Sequence, residues 1–240
     1  MFAIYKREMR AFFTTPVGYV FMGIFLAASG FLFSINCLFK QNSDVSGFFV
    51  MLMFAYVVII PLLTMKSFAE ERRQGTEQLL LTSPVSLVKL VAAKGAACFT
   101  MFLITLAISC LYFIPLGIYG SPNAGKIFGC LIGMVLIALC FISIGLFVSS
   151  LTQNQFVAAM GTIGILTLFL ALGLIESNIN TGITFLDTAL KTVIDWVSIY
   201  SRFSYFTYGL FDVGAAVYYV SVAAVFLFMT VRVYEKRRYA

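Results

Sequence analysis

Histidine is missing altogether from the 240 residues, and charge is scarce, with 11 % of positions carrying Asp, Glu, Lys or Arg. Soluble globular chains average about 25 % charged residues, so a water-facing surface cannot be built from this composition. Without histidine there is no Ser–His or Cys–His nucleophilic pair and no H-E-x-x-H zinc site, which excludes most intramembrane hydrolase chemistry. Paired acids facing each other inside apolar segments, the two-aspartate route, are not seen either. The phosphate-gripping pattern G-x-x-x-x-G-K-[ST] is absent, so the chain does not hold nucleotide by that loop. The five cysteines, Cys37, Cys98, Cys110, Cys130 and Cys140, show no Cys-x-x-Cys spacing and lie in apolar runs. They read as small buried hydrophobes rather than ligands or disulfide partners. No catalytic residue, metal site or cofactor bound by the chain itself is expected.

What the chain has is apolar length. It is 61 % hydrophobic with a mean hydropathy of +1.00, and a helix needs ~20 apolar residues to cross ~30 Å of hydrocarbon. Six such runs occur, at about 17–39, 48–65, 93–119, 127–149, 156–175 and 213–231. The reading is an all-α integral membrane protein, one transmembrane domain over residues 1–240. No cleavable signal peptide is expected, because the first apolar run begins only after Pro16 and exceeds the length of a signal core. Residues 1–15 mix Lys6, Arg7, Glu8 and Arg10 with Phe2, Ile4, Tyr5, Phe12 and Phe13, the pattern of an amphipathic interfacial helix. A second one is predicted between spans five and six, where Leu186, Ala189, Leu190, Val193, Ile194 and Val197 share a face and Trp196 suits the headgroup layer. Pro115 marks a kink near the end of the third span. Gly129 and Gly133 form a G-x-x-x-G compatible with close helix contact.

The net charge of +6 does not point to nucleic acid, because the cations are not gathered on a soluble face; anionic lipid and topology account for them. With six spans, twelve of the sixteen Lys and Arg fall on the side of both termini, and four (Lys40, Lys126, Lys191, Arg202) on the other. Both termini are thus predicted to be cytoplasmic, in a cell or inner membrane. Within the six runs no acidic or basic side chain is expected, and Glu176 and Asp212 at span ends read as interface residues. A group that never titrates cannot couple to a proton gradient. If the protein works against a gradient, another polypeptide must supply the energy.

The charged stretch is 66–92. Ser67-Phe-Ala-Glu70 fits a capping box that would start a short helix, and Gly75 fits its left-handed end. Thr76 fits the cap of a second short helix bearing Glu77, Leu79, Leu80 and Leu81, and Ser83-Pro84 a third start. Three leucines rimmed by charge suit docking into a groove of a soluble partner. They equally suit leucines resting on lipid with the charges solvated, and spacing alone leaves both readings open.

Glu70-Glu-Arg-Arg-Gln-Gly-Thr-Glu-Gln-Leu-Leu-Leu-Thr-Ser-Pro-Val-Ser86 closely resembles the segment between the second and third spans of ABC-2 type transporter permeases, the membrane partners of ATP-binding cassette ATPases. The segments 202–213 and 232–238 resemble that family's closing region, nearest to the gliding-motility-type permease. The resemblance implies a permease that binds no cofactor itself and works with a cytoplasmic P-loop ATPase carrying ATP and Mg. It also implies a second permease copy or paralogue and an auxiliary membrane subunit with an extracytoplasmic domain. On this likeness Glu70, Glu71, Arg72, Gly75, Thr76, Glu77, Leu79, Leu80 and Pro84 form the ATPase-coupling region. Substrate export is the implied role; a non-transporting anchor of an ATPase-driven machine, or a passive channel or carrier, are the alternatives.

Overall fold

The computed structural model describes residues 2–39, 44–76, 86–120, 122–176, 198–209 and 212–239, which form helices and no strand. Hydrocarbon offers backbone amides no water, so each apolar run must close its own hydrogen bonds, which a helix does within one segment. Helix α1 (Phe2–Thr14) precedes α2 (Pro16–Phe33), which Pro16 opens at its first turn. α2 widens into a π-helical end at Ser34–Phe39, where the Ser34 hydroxyl and the Asn36 amide bond back to the carbonyls of Gly30 and Leu32 at 2.9 and 3.0 Å. α3 covers Ser46–Arg73. α4 (Leu87–Ser109), a 3₁₀ turn (Cys110–Tyr112) and α5 (Phe113–Tyr119) make one interrupted rod. The turn contains Leu111, whose carbonyl has no partner N–H at Pro115. α6 (Ala124–Leu151), α7 (Gln155–Glu176), α8 (Ile199–Thr207) and α9 (Val213–Tyr239) follow.

Six segments are long and apolar enough to cross a membrane: Pro16–Phe39, Ser46–Arg73, Leu87–Ile118, Ala124–Leu151, Gln155–Gly173 and Val213–Arg238. α3 and α6 are the central pair, with 61 % and 67 % of their apolar windows buried against 22 % for α9. Lipid tails are as apolar as leucine, so such helices associate through small residues and polar contacts rather than a hydrophobic drive. Both devices join α3 to α6. Gly145 faces Thr64 with no room for a Cβ between them. The Ser149 hydroxyl oxygen accepts from the Phe68 and Ala69 amides at 3.2 Å each and donates to the Met65 carbonyl at 3.1 Å. A ring cluster of Phe25, Tyr56 and Phe102, with centroids 5.3 to 5.9 Å apart, ties α2, α3 and α4 together.

One sequence expectation changes here, and the close contact at the G-x-x-x-G is met by a helix of the same chain. Ser67 does not start a helix: α3 runs through it without a break, because Phe68 and Ala69 are buried where Ser149 grips their amides and Phe68 meets the Tyr234 ring at 5.0 Å. The G-x-x-x-G is a seat within the same chain. A Cβ at Gly133 would lie 3.0 Å from Phe203 and Phe206 of α8, and one at Gly129 3.2 Å from the Phe206 carbonyl. The interfacial helix read from Leu186 to Val197 lies outside the described residues, as do Glu77, Leu79, Leu80, Leu81 and Pro84 of the charged stretch.

Candidate functional site

Lys94 is the side chain that apolar patterning does not explain. It sits inside the third apolar run with its side chain 1 % exposed, which corrects the expectation that the six runs carry no charge. Its ammonium lies 3.2 Å from Glu8 and 3.0 Å from Glu71, donates to the Ser67 carbonyl at 2.7 Å, and stands 5.1 Å from the Phe68 ring centre. Arg7 closes the arrangement, reaching Glu8 at 2.7 Å and Glu71 at 2.8 Å. Each carboxylate therefore touches both cations, and the four charges cancel. A buried charge costs several kcal/mol of lost hydration, which only such alternation with further hydrogen bonds offsets. Desolvation pulls the Arg7 guanidinium down, but its hydrogen bond to Glu8 and the charges of Glu8 and Glu71 outweigh this and hold it above its ordinary value.

Three elements meet at this cluster: α1 brings Arg7 and Glu8, α3 brings Ser67 and Glu71, α4 brings Lys94. The Tyr5 hydroxyl adds a bond to Thr100 at 3.2 Å, so α1 lies antiparallel along the first half of α4. From the Ser67–Lys94 contact, α3 continues to Arg73 and α4 reaches back to Leu87, which at 1.5 Å per residue is about 10 Å on each helix. Past the cluster itself α4 runs on for about two turns and α3, beyond Glu71, for about half a turn, and the 74–86 connection joins their tips.

The same pole holds the C-terminal end of α6. Arg72 donates to the Leu151 carbonyl at 2.9 Å and Arg237 of α9 to the Ser150 carbonyl at 2.6 Å. Cations suit this end, where unpaired carbonyls concentrate partial negative charge.

Of the nine residues assigned to coupling, five fall on described positions. Glu71 is in the four-charge cluster, and Arg72 is spent on α6. Glu70 stands 4.0 Å from Lys66 and accepts from the Gln74 side chain at 3.2 Å. Gly75 has φ +71°, the left-handed region that ends a helix cheaply only for glycine. Thr76 bonds through its hydroxyl to the Glu71 carbonyl at 3.3 Å. Glu77, Leu79, Leu80 and Pro84 lie outside the described residues. Lys94, Arg7, Glu8 and Arg237 were not singled out from sequence. The available signal was Lys94 itself, since a cation in an apolar run demands a partner.

A pocket of about 410 Å³ opens between α1 and the end of α3, with Arg7, Phe12, Lys66, Glu70, Gln74 and Thr76 among its walls. Among the described residues no group of three or more Cys, Asp or Glu is placed to hold a metal. At the opposite pole Asp44 accepts from the Ser46 hydroxyl and amide at 2.8 and 3.2 Å and lies 3.6 Å from Lys126. These bonds, led by the Ser46 hydroxyl, hold its carboxyl below the ordinary value.

A family model described as "ABC-2 family transporter protein" matches residues 14–233. The comparison with curated proteins gives no match.

Proposed function

Since the chain belongs to the ABC-2 family of transporter membrane proteins, we propose that it is the permease subunit through which a separate cytoplasmic ATPase moves a substrate. ATP and Mg reside on that partner, and two permease copies or paralogues complete the assembly. The observation that carries this reading is the four-charge cluster at the root of two projecting helix ends. A loop pushed at its tip moves nothing if its stems are loose. Here the stems of the 74–86 connection are fastened to each other and to α1 by Lys94, Glu71, Glu8 and Arg7. Force applied at Gly75, Thr76, Glu77, Leu79, Leu80 and Pro84 would pass into α3 and α4 as one body. Glu70 lies on the pocket wall beside that connection. Glu71 and Arg72 serve by holding the stems rather than by touching the ATPase.

The likeness of segments 202–213 and 232–238 to the gliding-motility-type permease supports an auxiliary membrane subunit in the same assembly. The side bearing α1 and the end of α9 is assigned to the cytoplasm by its excess of Lys and Arg. The test is copurification with a P-loop ATPase from the native membrane. Leu80→Asp is expected to lose that ATPase while the permease still inserts and melts as wild type. Undiminished association and ATP-driven activity in Leu80→Asp would refute the coupling assignment.

A further inference from the structure

The pocket between α1 and α3 sets six charged side chains among apolar walls that include Ala11, Phe12 and Val17. An apolar groove of about 180 Å³ adjoins it, and the two share Val17 and Lys66 as walls. The groove runs between α2 and α3 over Val20, Phe21, Ile24, Leu62 and Met65. From Val17 to Ile24 it descends about 10 Å along α2, at 1.5 Å per residue, toward the middle of the apolar segment. A chamber bearing charges that shares two walls with a hydrocarbon-lined slot fits one chemical shape, an amphiphile with its headgroup in the chamber and a chain in the slot.

The charges define the headgroup. Arg7, Lys66 and Lys94 face Glu8, Glu70 and Glu71, three of each sign. Arg7, Lys94, Glu8 and Glu71 satisfy one another within 3.2 Å. Lys66 and Glu70 form only a long ion pair of 4.0 Å on successive turns of α3, Glu70 also accepting from Gln74 at 3.2 Å, and each stays about one-third exposed, so both keep room for a headgroup contact. Lys66 is also the residue at the junction of chamber and groove. A phosphodiester belongs at the junction, beside the Lys66 ammonium, and an amine one short spacer further on, beside the Glu70 carboxylate. A purely anionic headgroup would meet Glu70 unfavourably.

We propose that this chamber and groove form a binding site for a single zwitterionic, amine-bearing glycerophospholipid, held between α1, α2 and α3. The site shares Glu70 and Thr76 with the coupling region, but its occupancy follows from membrane residence alone.

The test uses native mass spectrometry of the full chain released from detergent after incubation with 1-palmitoyl-2-oleoyl-phosphatidylethanolamine. The phosphatidylglycerol of identical chains is run alongside, and soluble glycerophosphoethanolamine supplies the headgroup without a tail. The expected result is a one-to-one phosphatidylethanolamine adduct retained at least about tenfold better than the phosphatidylglycerol one. Lys66→Ala and Glu70→Gln should each erase that preference. Ile24→Trp, which fills the groove, should reduce retention of both lipids, and melting of each variant checks that it is folded. Equal retention of the two lipids, or an unchanged preference in folded Lys66→Ala and Glu70→Gln, overturns the proposal. Binding of glycerophosphoethanolamine as tight as that of the lipid also overturns it, since the chamber would then serve a soluble phosphoamine. ATPase copurification is scored separately, so loss of one result leaves the other standing.

Discussion

A lysine removed from water is tolerated at position 94 because Glu8, Glu71 and the Ser67 carbonyl lie within 3.2 Å of its nitrogen. Taking away one member of such a set leaves an uncompensated buried charge, typically a loss of about 3–5 kcal/mol. Glu71→Ala is expected to fall in that range, read as lowered thermal stability in detergent. Lys94→Met should cost less, since it removes the fully buried charge itself and leaves two partly exposed carboxylates bridged by the half-exposed Arg7. Tyr56 is the opposite case: its buried hydroxyl has no hydrogen-bond partner among the described residues. Tyr56→Phe removes that unmet group and is expected to raise stability by about 1 kcal/mol. Asp44 makes a pH prediction. Its native value is depressed, so its contribution is complete above the unfolded carboxylate value and is lost as pH falls through the native one. The melting difference between wild type and Asp44→Asn should therefore shrink toward zero on acidification, while a difference that grows would contradict the sign. Asp44 meets Ser46 two residues on, but the Lys94 partnership was not readable locally. Hydropathy finds Lys94 as a blemish in an apolar run, but its partners come from residues 8 and 71, and only folding names them.

At the scale of elements, the apolar runs were legible because their length exceeds what any soluble strand or helix core needs. Local start signals were less dependable. The capping-box letters at Ser67 and Glu70 are present, yet α3 passes straight through, because the amides of Phe68 and Ala69 are held by Ser149, some eighty residues away in sequence. Gly75 is a contrasting position: its φ of +71° is a demand of the chain itself, and the residue type meets it. The G-x-x-x-G pattern showed that something approaches α6 closely but not what. Phe203 and Phe206 of α8 occupy the place that a second copy could have taken. Gly133→Val drives two methyl groups into those rings, and overpacking of this kind costs about 1–3 kcal/mol. Loosening of α8 should appear as faster tryptic cleavage after Arg202 at temperatures where the wild type is resistant. Gly133→Ala should lie between the two.

Across the whole molecule the charges sort by pole. One pole gathers α1, the end of α3, the start of α4, the end of α6 and the end of α9 through the bonds of Glu8, Glu71, Lys94, Arg72 and Arg237. The other holds Asp44, Lys126 and the start of α9 at Val213. Positive residues resist translocation, so the pole carrying Arg7, Arg10, Lys66, Arg72, Lys94 and the cations of 232–238 should face the cytoplasm. The native cysteines give little background, since four of the five are buried. Single cysteines at Arg10, Thr76 and Arg238 should react with a membrane-impermeant maleimide only in inverted vesicles, and one at Asp44 only in intact cells. Labelling of Thr76→Cys from outside would turn the bundle over and put the 74–86 connection beyond reach of any nucleotide-driven partner. The gathering of Lys and Arg at one pole is legible from sequence, because it follows from the number of spans between them; which pole faces the cytoplasm is what the labelling decides. The four-charge cluster that joins α1, α3 and α4 was not legible, because it depends on which charges become neighbours.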